Sequence, residues 1–173
     1  MKNLLILAAI LALTAANVSA EKLTVQIHLV SAEGVGKQIG TIVAEDTKHG
    51  LLLTPNLSGA PAGIHGFHIH EHPNCAPAEN NGKMTPAHSA GAHFDPSKAG
   101  KHLGPYAEGH LGDLPALTVS ADGKSTLPVL APRLKTSDIK GHALMVHAGG
   151  DNYSDKPEPL GGGAGRIACG VVK

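Results

Sequence analysis

Residues 23–29, Leu-Thr-Val-Gln-Ile-His-Leu, alternate apolar and polar side chains without a break. Because successive side chains of a β-strand point to opposite faces, this period of two predicts a half-buried strand. Shorter runs of the same kind follow, and they predict strands at 38–45, 50–54, 64–70, 116–120, 125–131, 143–147 and 166–172. Asp-Gly at 122–123, between two of these runs, predicts a hairpin. Eight short strands separated by turn signals favour an antiparallel sandwich or barrel.

The composition agrees with an all-β class. The chain of 173 residues has 22 glycines and 12 prolines but only 2% aromatic residues, which argues against a helical bundle. No segment carries a sustained apolar stripe of helical period, and one helical turn is expected at 136–140. The chain shows no internal repeat, so we expect one domain over residues 21–173.

The first twenty residues have the pattern of a signal peptide. Lys2 gives a positive start, residues 4–13 are almost entirely Leu, Ile and Ala, and Val-Ser-Ala at 18–20 suits a signal peptidase. About ten apolar residues are too few to cross roughly 30 Å of hydrocarbon, so a membrane anchor is the weaker interpretation, as is a buried first helix. We therefore expect cleavage after Ala20 and a periplasmic or secreted protein.

The net charge of the chain narrows its possible binding partners. Removal of residues 1–20 takes away one Lys and no acid, which leaves 13 basic and 14 acidic residues and a net charge of −1 with neutral histidines. This balance predicts neither nucleic acid nor an anionic membrane as a partner.

Cys75 and Cys169 are the two cysteines of the chain, and in an oxidising compartment such a pair predicts one disulfide. Two buried free thiols are the alternative.

Two long connections interrupt the strands. Residues 71–115 are rich in Gly, Pro, His and Asn, and residues 148–165 form a second, Gly-rich segment. Loops of this length are usually either functional or disordered. Both lie next to strands that carry histidines, so we expect two functional loops.

Histidine is the unusual residue of this chain, with 12 copies. His68 and His70 are two residues apart, so a strand places them on one face. Imidazole suits copper and zinc, and a carboxylate that completes a tetrahedron suits zinc. The other candidate ligands lie in the first long loop or at a strand end: His93, His102, His110, Asp113 and His147.

These seven side chains are too many for one metal ion. Two four-coordinate metals need eight ligand positions, and seven side chains fill eight positions only if one imidazole bridges both ions. The sequence alone leaves the bridging residue open. His93 is the natural candidate, because it lies between the strand pair and the loop cluster.

Four segments resemble the signatures of copper/zinc superoxide dismutases. They are Gly-Phe-His-Ile-His at 66–70, Gly-Ala-His-Phe-Asp-Pro at 91–96, His-Leu-Gly-Asp-Leu at 110–114 and Gly-Ala-Gly-Arg-Ile-Ala-Cys-Gly at 163–170. The segment around Cys75 is similar to the bacterial periplasmic branch of that family. The resemblance covers the whole chain after residue 20, and it implies an eight-stranded antiparallel Greek-key barrel, related to the immunoglobulin-like sandwiches.

The resemblance also implies roles for particular residues. It assigns one copper per subunit to His68, His70, His93 and His147, and one zinc per subunit to His93, His102, His110 and Asp113. Asp151 is implied as the carboxylate that links His68 to His102. Arg166 is implied as the cation that steers and docks the substrate, and the bridging His93 as the group that carries a proton. The remaining histidines receive no metal: His28, His49, His65, His72, His88 and His142.

The activity implied by this resemblance is the dismutation of superoxide to oxygen and hydrogen peroxide. An exported protein that buffers copper or zinc without turnover is the alternative. Tyr106, an aromatic residue in a loop, resembles an aromatic position of dimeric bacterial relatives, and it predicts a homodimer.

Overall fold

The computed structural model describes residues 21–173, so the predicted signal peptide at 1–20 lies outside the described residues. The strands are β1 (Lys22–Ser31), β2 (Gly34–Thr47), β3 (Gly50–Ser58), β4 (Gly63–His65), β5 (Phe67–His70), β6 (Ala78–Asn80), β7 (Lys83–Thr85), β8 (Leu117–Val119), β9 (Lys124–Ser125), β10 (Val129–Ala131), β11 (Ala143–His147) and β12 (Arg166–Val171). Helical structure in this part of the chain is limited to α1 (Thr136–Ile139) and two 3-10 turns, His88–Ala90 and Pro159–Gly162. Within residues 21–173, no helix has the length and apolar character needed to cross a membrane.

One curled antiparallel sheet contains eight of the strands, in the order β10-β3-β2-β1-β12-β11-β5, with β9 also paired to β3. A two-stranded ribbon, β4–β8, continues it, because β4 leads directly into β5 and β8 turns into β9. The predicted turn at 122–123 is present, closed by the Ser120 amide that donates to the Lys124 carbonyl at 2.8 Å, but β8 pairs with β4 and β9 with β3. The chain therefore crosses from β3 to β4 and β5 on the far side of the sheet, and the predicted all-β antiparallel fold is confirmed.

Two predicted strands are interrupted in the structure. The strand predicted at 64–70 breaks at Gly66, whose amide donates to the Gly149 carbonyl at 2.8 Å instead of joining a regular ladder. The strand predicted at 125–131 breaks into β9 and β10 just before Val129, because Pro128 has no amide hydrogen for a ladder. The breaks shift the strand ends by a few residues, and His68 and His70 remain on one face of β5 as predicted.

The first long loop contains a hairpin, β6–β7, that the sequence analysis missed. Its turn is Asn81-Gly82, with positive φ angles of 52° and 76°. Asn-Gly is the residue pair that tolerates this turn best, so the signal was present in the sequence. Three-residue strands are too short to show a period-two pattern, so alternation alone does not predict this hairpin.

The core lies inside the curled sheet. Phe67 and Ile69 of β5 are fully buried in it, together with Leu117 and Val119 of the β4–β8 ribbon. Each such side chain contributes about 1.5–3 kcal/mol when it leaves water. His68 and His70 alternate with Phe67 and Ile69 on the opposite face of β5, yet they are also buried, because the long loops cover that face.

The predicted disulfide Cys75–Cys169 is confirmed, with Cα atoms 5.8 Å apart, and the alternative of two free thiols is wrong. Cys169 lies in β12 and Cys75 in the first long loop. The bond therefore ties the beginning of that loop to the centre of the sheet.

Candidate metal centre

The backbone of the first long loop returns along β5 and so fixes where its side chains lie. The Phe94 amide donates to the Ile69 carbonyl, and the Ile69 amide donates to the Gly112 carbonyl, both at 2.8 Å. This pairing sets His70 opposite His93 and His68 opposite Asp113. On the other side of β5, strand β11 pairs in register and ends at His147. Residues that are far apart in sequence therefore converge through main-chain hydrogen bonds.

Four histidines form the first group of candidate ligands: His68, His70, His93 and His147. All four are buried, and one nitrogen of each lies within 4.8 Å of the others. The Nδ1 atom of His70 lies 2.9 Å from the Gly91 carbonyl, and since a carbonyl only accepts, this nitrogen carries the proton. Its Nε2 then presents a lone pair to Nε2 of His147, 3.4 Å away. Two ring nitrogens in this position suit a shared cation.

A second group of candidate ligands surrounds Asp113. Its Oδ1 atom lies 3.0 Å from Nδ1 of His93, 3.0 Å from Nδ1 of His102 and 3.4 Å from Nδ1 of His110. The four atoms within 4.8 Å of one another belong to His68, His93, His102 and Asp113. The set differs from the zinc set of the sequence analysis, because His68 takes the place of His110. His110 is nevertheless in contact with Asp113, so the structure brings all four predicted zinc ligands together.

The carboxylate of Asp151 links the two groups. Its Oδ2 accepts from Nε2 of His68 at 2.7 Å, and its Oδ1 accepts from Nε2 of His102 at 2.8 Å. Each ring thereby has its Nδ1 left to face a metal ion, in the orientation that such carboxylates commonly impose on metal-binding histidines. Gly161 makes this contact possible, since its φ is +72° and a Cβ there would lie 2.1 Å from Oδ1 of Asp151.

Burial keeps most of these rings neutral. It lowers the pKa of His93 to about 4 and that of His147 to about 2, in both cases against weaker opposing hydrogen bonds. Burial also lowers the pKa of His70 well below its usual range, with a further contribution from the positive charge of Arg166. Neutral imidazole is the form that binds copper and zinc, so the first group is ready to take a metal ion at neutral pH.

His102 and the two aspartates behave differently. Burial lowers the pKa of His102, but the neighbouring carboxylates of Asp113 and Asp151 outweigh it and raise that pKa to about 9. Burial raises the pKa of both carboxyl groups, yet the histidines around them hold each pKa well below its usual range. In the metal-free protein, a proton on His102 thus balances part of the negative charge of the two carboxylates. A bound dication would balance that charge in the metal-loaded protein.

Unpartnered buried atoms show that copper and zinc fit these residues. Within residues 21–173, six buried side-chain nitrogen or oxygen atoms lack a hydrogen-bond partner. Four of them belong to the two ligand groups or to His110: Nδ1 of His68, Nδ1 of His102, Nδ1 of His110 and Oδ2 of Asp113. An isolated buried polar atom is costly, so four together indicate a missing partner. Imidazoles in one group and imidazoles with a carboxylate in the other are the donors that suit copper and zinc.

Arg166 lies beside the first ligand group. It begins β12 and pairs with His147 across the sheet. Its two terminal nitrogens donate to the carbonyls of Ala87 and Gly91 at 2.6 and 2.7 Å, and Gly91 also accepts from His70. These contacts fix the plane of the guanidinium group and place its charge near the candidate copper ligands.

Among the six histidines that received no metal in the sequence analysis, His65 has a part in the site. It is 3% exposed, with Nδ1 2.7 Å from the His147 carbonyl and Nε2 2.9 Å from the Pro61 carbonyl. It therefore supports the strand end that carries His147, which an isolated histidine in the sequence could not reveal. His72 and His88 belong to neither ligand group.

Comparisons with known proteins agree with this geometry. A family described as copper/zinc superoxide dismutase (SODC) matches residues 38–172. Superoxide dismutase [Cu-Zn] 2 of Salmonella typhimurium is 53% identical over 175 residues, which cover 100% of both chains. Superoxide dismutase [Cu-Zn] of Escherichia coli K12 is 54% identical over 172 residues, which cover 99% of this chain and 98% of that one.

Solved structures are similar over most of the chain. Cu/Zn superoxide dismutase from Brucella abortus has a TM-score of 0.87 and 51% identity, and the match covers 88% of this chain and 100% of that one. The monomeric copper, zinc superoxide dismutase from Salmonella enterica has a TM-score of 0.80 and 53% identity, with the same coverage. From the family match, the identities and the two ligand groups, we conclude that this chain belongs to the copper/zinc superoxide dismutase family.

Proposed function

We propose that this chain catalyses the dismutation of superoxide to oxygen and hydrogen peroxide. The observation that carries the proposal is a pair of buried ligand groups that share His93 and are joined through Asp151. Bound copper supplies the one-electron redox chemistry that the reaction requires, and bound zinc supplies a fixed positive charge. The relatives with this activity in their names cover nearly the whole chain.

In this proposal, copper is held by His68, His70, His93 and His147, and zinc by His93, His102, His110 and Asp113. His93 is the shared residue, because its Nδ1 faces Asp113 while its ring lies 4.0 Å from that of His68 and 5.1 Å from that of His70. Its Nε2 is then left for the copper group. Two superoxide ions require two protons to give one oxygen and one peroxide molecule, and Nε2 of His93 is placed to deliver one of them.

Arg166 is the residue that we assign to superoxide itself. A guanidinium group stays cationic at every relevant pH and offers a planar fork to a small anion. The net charge of residues 21–173 is −1, so attraction of the anion must come from a local positive charge. The two carbonyl contacts of Arg166 hold that charge in place beside His70.

Metal content and turnover of the purified protein test the proposal in one experiment. We expect one copper and one zinc per chain by elemental analysis, together with rapid consumption of superoxide from pulse radiolysis. A protein that binds both metals without turnover would support the alternative, an exported metal buffer. A protein that binds neither metal would contradict both functions.

We further propose that residues 1–20 are a signal peptide and that the domain at 21–173 works in the periplasm or outside the cell. The disulfide supports this, because such bonds persist in oxidising compartments. Intact mass of the exported protein should correspond to a chain that begins at Glu21. A mass that retains residues 1–20 would contradict the proposal.

The homodimer remains a prediction based on Tyr106, which is 71% exposed on the first long loop. An exposed aromatic side chain of this kind is typical of interface residues. The Salmonella enterica relative is described as monomeric, so similarity to this family does not decide the state. Light scattering at micromolar concentration should give twice the chain mass, and Tyr106→Ser should reduce it to one chain.

A further inference from the structure

Arg133 is a charged turn residue, just after β10, that the proposed function does not use. It follows β10 in a turn closed by the Leu134 amide and the Ala131 carbonyl at 3.4 Å, and Ala131 and Leu134 are each only 2% exposed. The backbone before Arg133 is packed tightly, since a Cβ at Gly50 would lie 2.5 Å from Cα of Pro132. The base of this side chain is therefore fixed to the barrel.

The guanidinium group of Arg133 reaches across to three backbone carbonyls of one short loop segment, residues 107–110. Its Nη1 donates to the carbonyls of Ala107 and Gly109, the latter at 3.4 Å, and its Nη2 donates to the carbonyl of His110 at 2.5 Å. The other side of this segment is closed by Lys101, whose carbonyl accepts from the His110 amide at 2.9 Å. A Cβ at Gly109 would lie 2.6 Å from that carbonyl, so the segment cannot shift toward it.

The carbonyl of His110 accepts a hydrogen bond from a second donor. This second bond is the reason why the Arg133 contact affects the proposed zinc ligands. The Asp113 amide donates to it at 3.4 Å and closes the turn that carries both side chains. Within this turn, Nδ1 of His110 lies 3.4 Å from Oδ1 of Asp113. Arg133 therefore holds the acceptor that shapes the turn between two proposed zinc ligands, and its hydrogen bonds go to backbone carbonyls and to neither ligand side chain.

We propose that Arg133 is a positioning residue for the zinc ligands His110 and Asp113, an inference that rests on the proposed function. Its planar fork spans three carbonyls at once, which a single ammonium group cannot do. Loss of the fork lets the turn relax and separates the two ligands, while the histidines of β5 and β11 keep their places. The effect falls on zinc affinity and leaves unchanged the copper affinity measured in the absence of zinc.

The experiment uses the full mature chain, freed of metal, in four forms: wild type, Arg133→Ala, Arg133→Lys and the control Lys140→Ala. Lys140 is an exposed residue that pairs with Glu21 and belongs to neither ligand group. Zinc affinity is measured by competition with a chromophoric chelator, well below the unfolding temperature. Cobalt at saturation reports the geometry of the same ligands through its visible absorption bands. Copper affinity and the Cu(II) electron paramagnetic resonance spectrum, both measured in the absence of zinc, report the other group.

Arg133→Ala should weaken zinc binding by about 10–100-fold, the range found for residues that orient metal ligands, and should shift the cobalt bands. Arg133→Lys should recover part of the affinity, and Lys140→Ala should match wild type. Copper affinity and the Cu(II) spectrum should stay unchanged in all four proteins.

Three results would overturn the inference. One is zinc affinity within twofold of wild type and unchanged cobalt bands in Arg133→Ala or, if that variant does not fold, in Arg133→Lys. Another is an equal loss of zinc and copper affinity, which indicates a general structural role. The third is failure of the wild-type protein to bind zinc, which would overturn the proposed function together with this inference. This case is distinguished from the first two because it appears in the wild-type protein, without any substitution.

Discussion

Reduction of the Cys75–Cys169 disulfide should lower the free energy of unfolding by several kilocalories per mole. The bond closes a loop with a sequence separation of 94 residues. In the chain-entropy treatment a closed loop of this size contributes about 4.7 kcal/mol at 25 °C, through the conformations denied to the unfolded chain. Residual structure in the unfolded chain reduces this figure, so we expect a measured loss of about 3–5 kcal/mol.

Urea unfolding of the metal-free chain 21–173, with and without a phosphine reductant, measures the effect. The double variant Cys75→Ala/Cys169→Ala is the matched control, because reductant can change nothing in a chain without cysteine. Its unfolding midpoint should be insensitive to reductant and should lie close to that of the reduced wild-type chain.

The result that would refute this reasoning is a wild-type midpoint unchanged by complete reduction, verified by thiol titration. It would mean that residual structure restricts the unfolded chain as much as the covalent bond does. A loss well above 5 kcal/mol would point to a further cost in the folded state. The first place to look would then be Arg166, which donates to Ala87 and Gly91 of the tethered loop.

The remaining predictions concern the ligands, the substrate and pH. His147→Ala should empty the copper site and abolish turnover, with zinc retained. Asp113→Ala should instead release zinc first, as measured by elemental analysis. Loss of copper alone from Asp113→Ala would reverse the assignment of the two groups. Arg166→Ala should slow turnover by about tenfold or more and flatten its dependence on ionic strength, with both metals still bound, and an unchanged rate would leave Arg166 a structural residue. The metal-free protein should lose stability on acidification below about pH 6.5, because the unfolded chain protonates His93 while the folded chain delays this to about pH 4. It should also lose stability as the pH rises from about 6.5 through 9, because the folded chain holds a proton on His102 up to about 9. Urea midpoints between pH 4 and 10 should show this maximum, and a flat profile would contradict it.

Much of the fold could be predicted because its strands obey a local rule. The alternation at 23–29 recurs in β1, and the Asp-Gly pair at 122–123 marks the turn between β8 and β9. The breaks at Gly66 and before Val129 were missed, since they depend on a neighbouring loop and on a missing amide hydrogen. A local sequence pattern shows that a segment has the period of a strand. It does not show which segment accepts or donates the backbone hydrogen bonds of that strand.

The candidate site divides in the same way. Spacing places His68 and His70 on one face, and the structure has them there. The contact of His65 with the His147 carbonyl and the reach of Arg133 to His110 depend on register between distant elements, so no local signal predicts them. The presence of His68 in the second ligand group likewise follows from the pairing of β5 with the loop near Asp113.

The shared ring of His93 and the shared carboxylate of Asp151 have a thermodynamic consequence. Two groups that share His93 and are joined through Asp151 cannot bind independently, because whatever orders His93 and Asp151 for one ion has ordered them for the other. By linkage, zinc must strengthen copper binding by the same factor by which copper strengthens zinc binding. A coupling of about 1.4 kcal/mol makes that factor tenfold in both directions. The order of loading therefore changes how fast the protein matures and leaves its final occupancy unchanged.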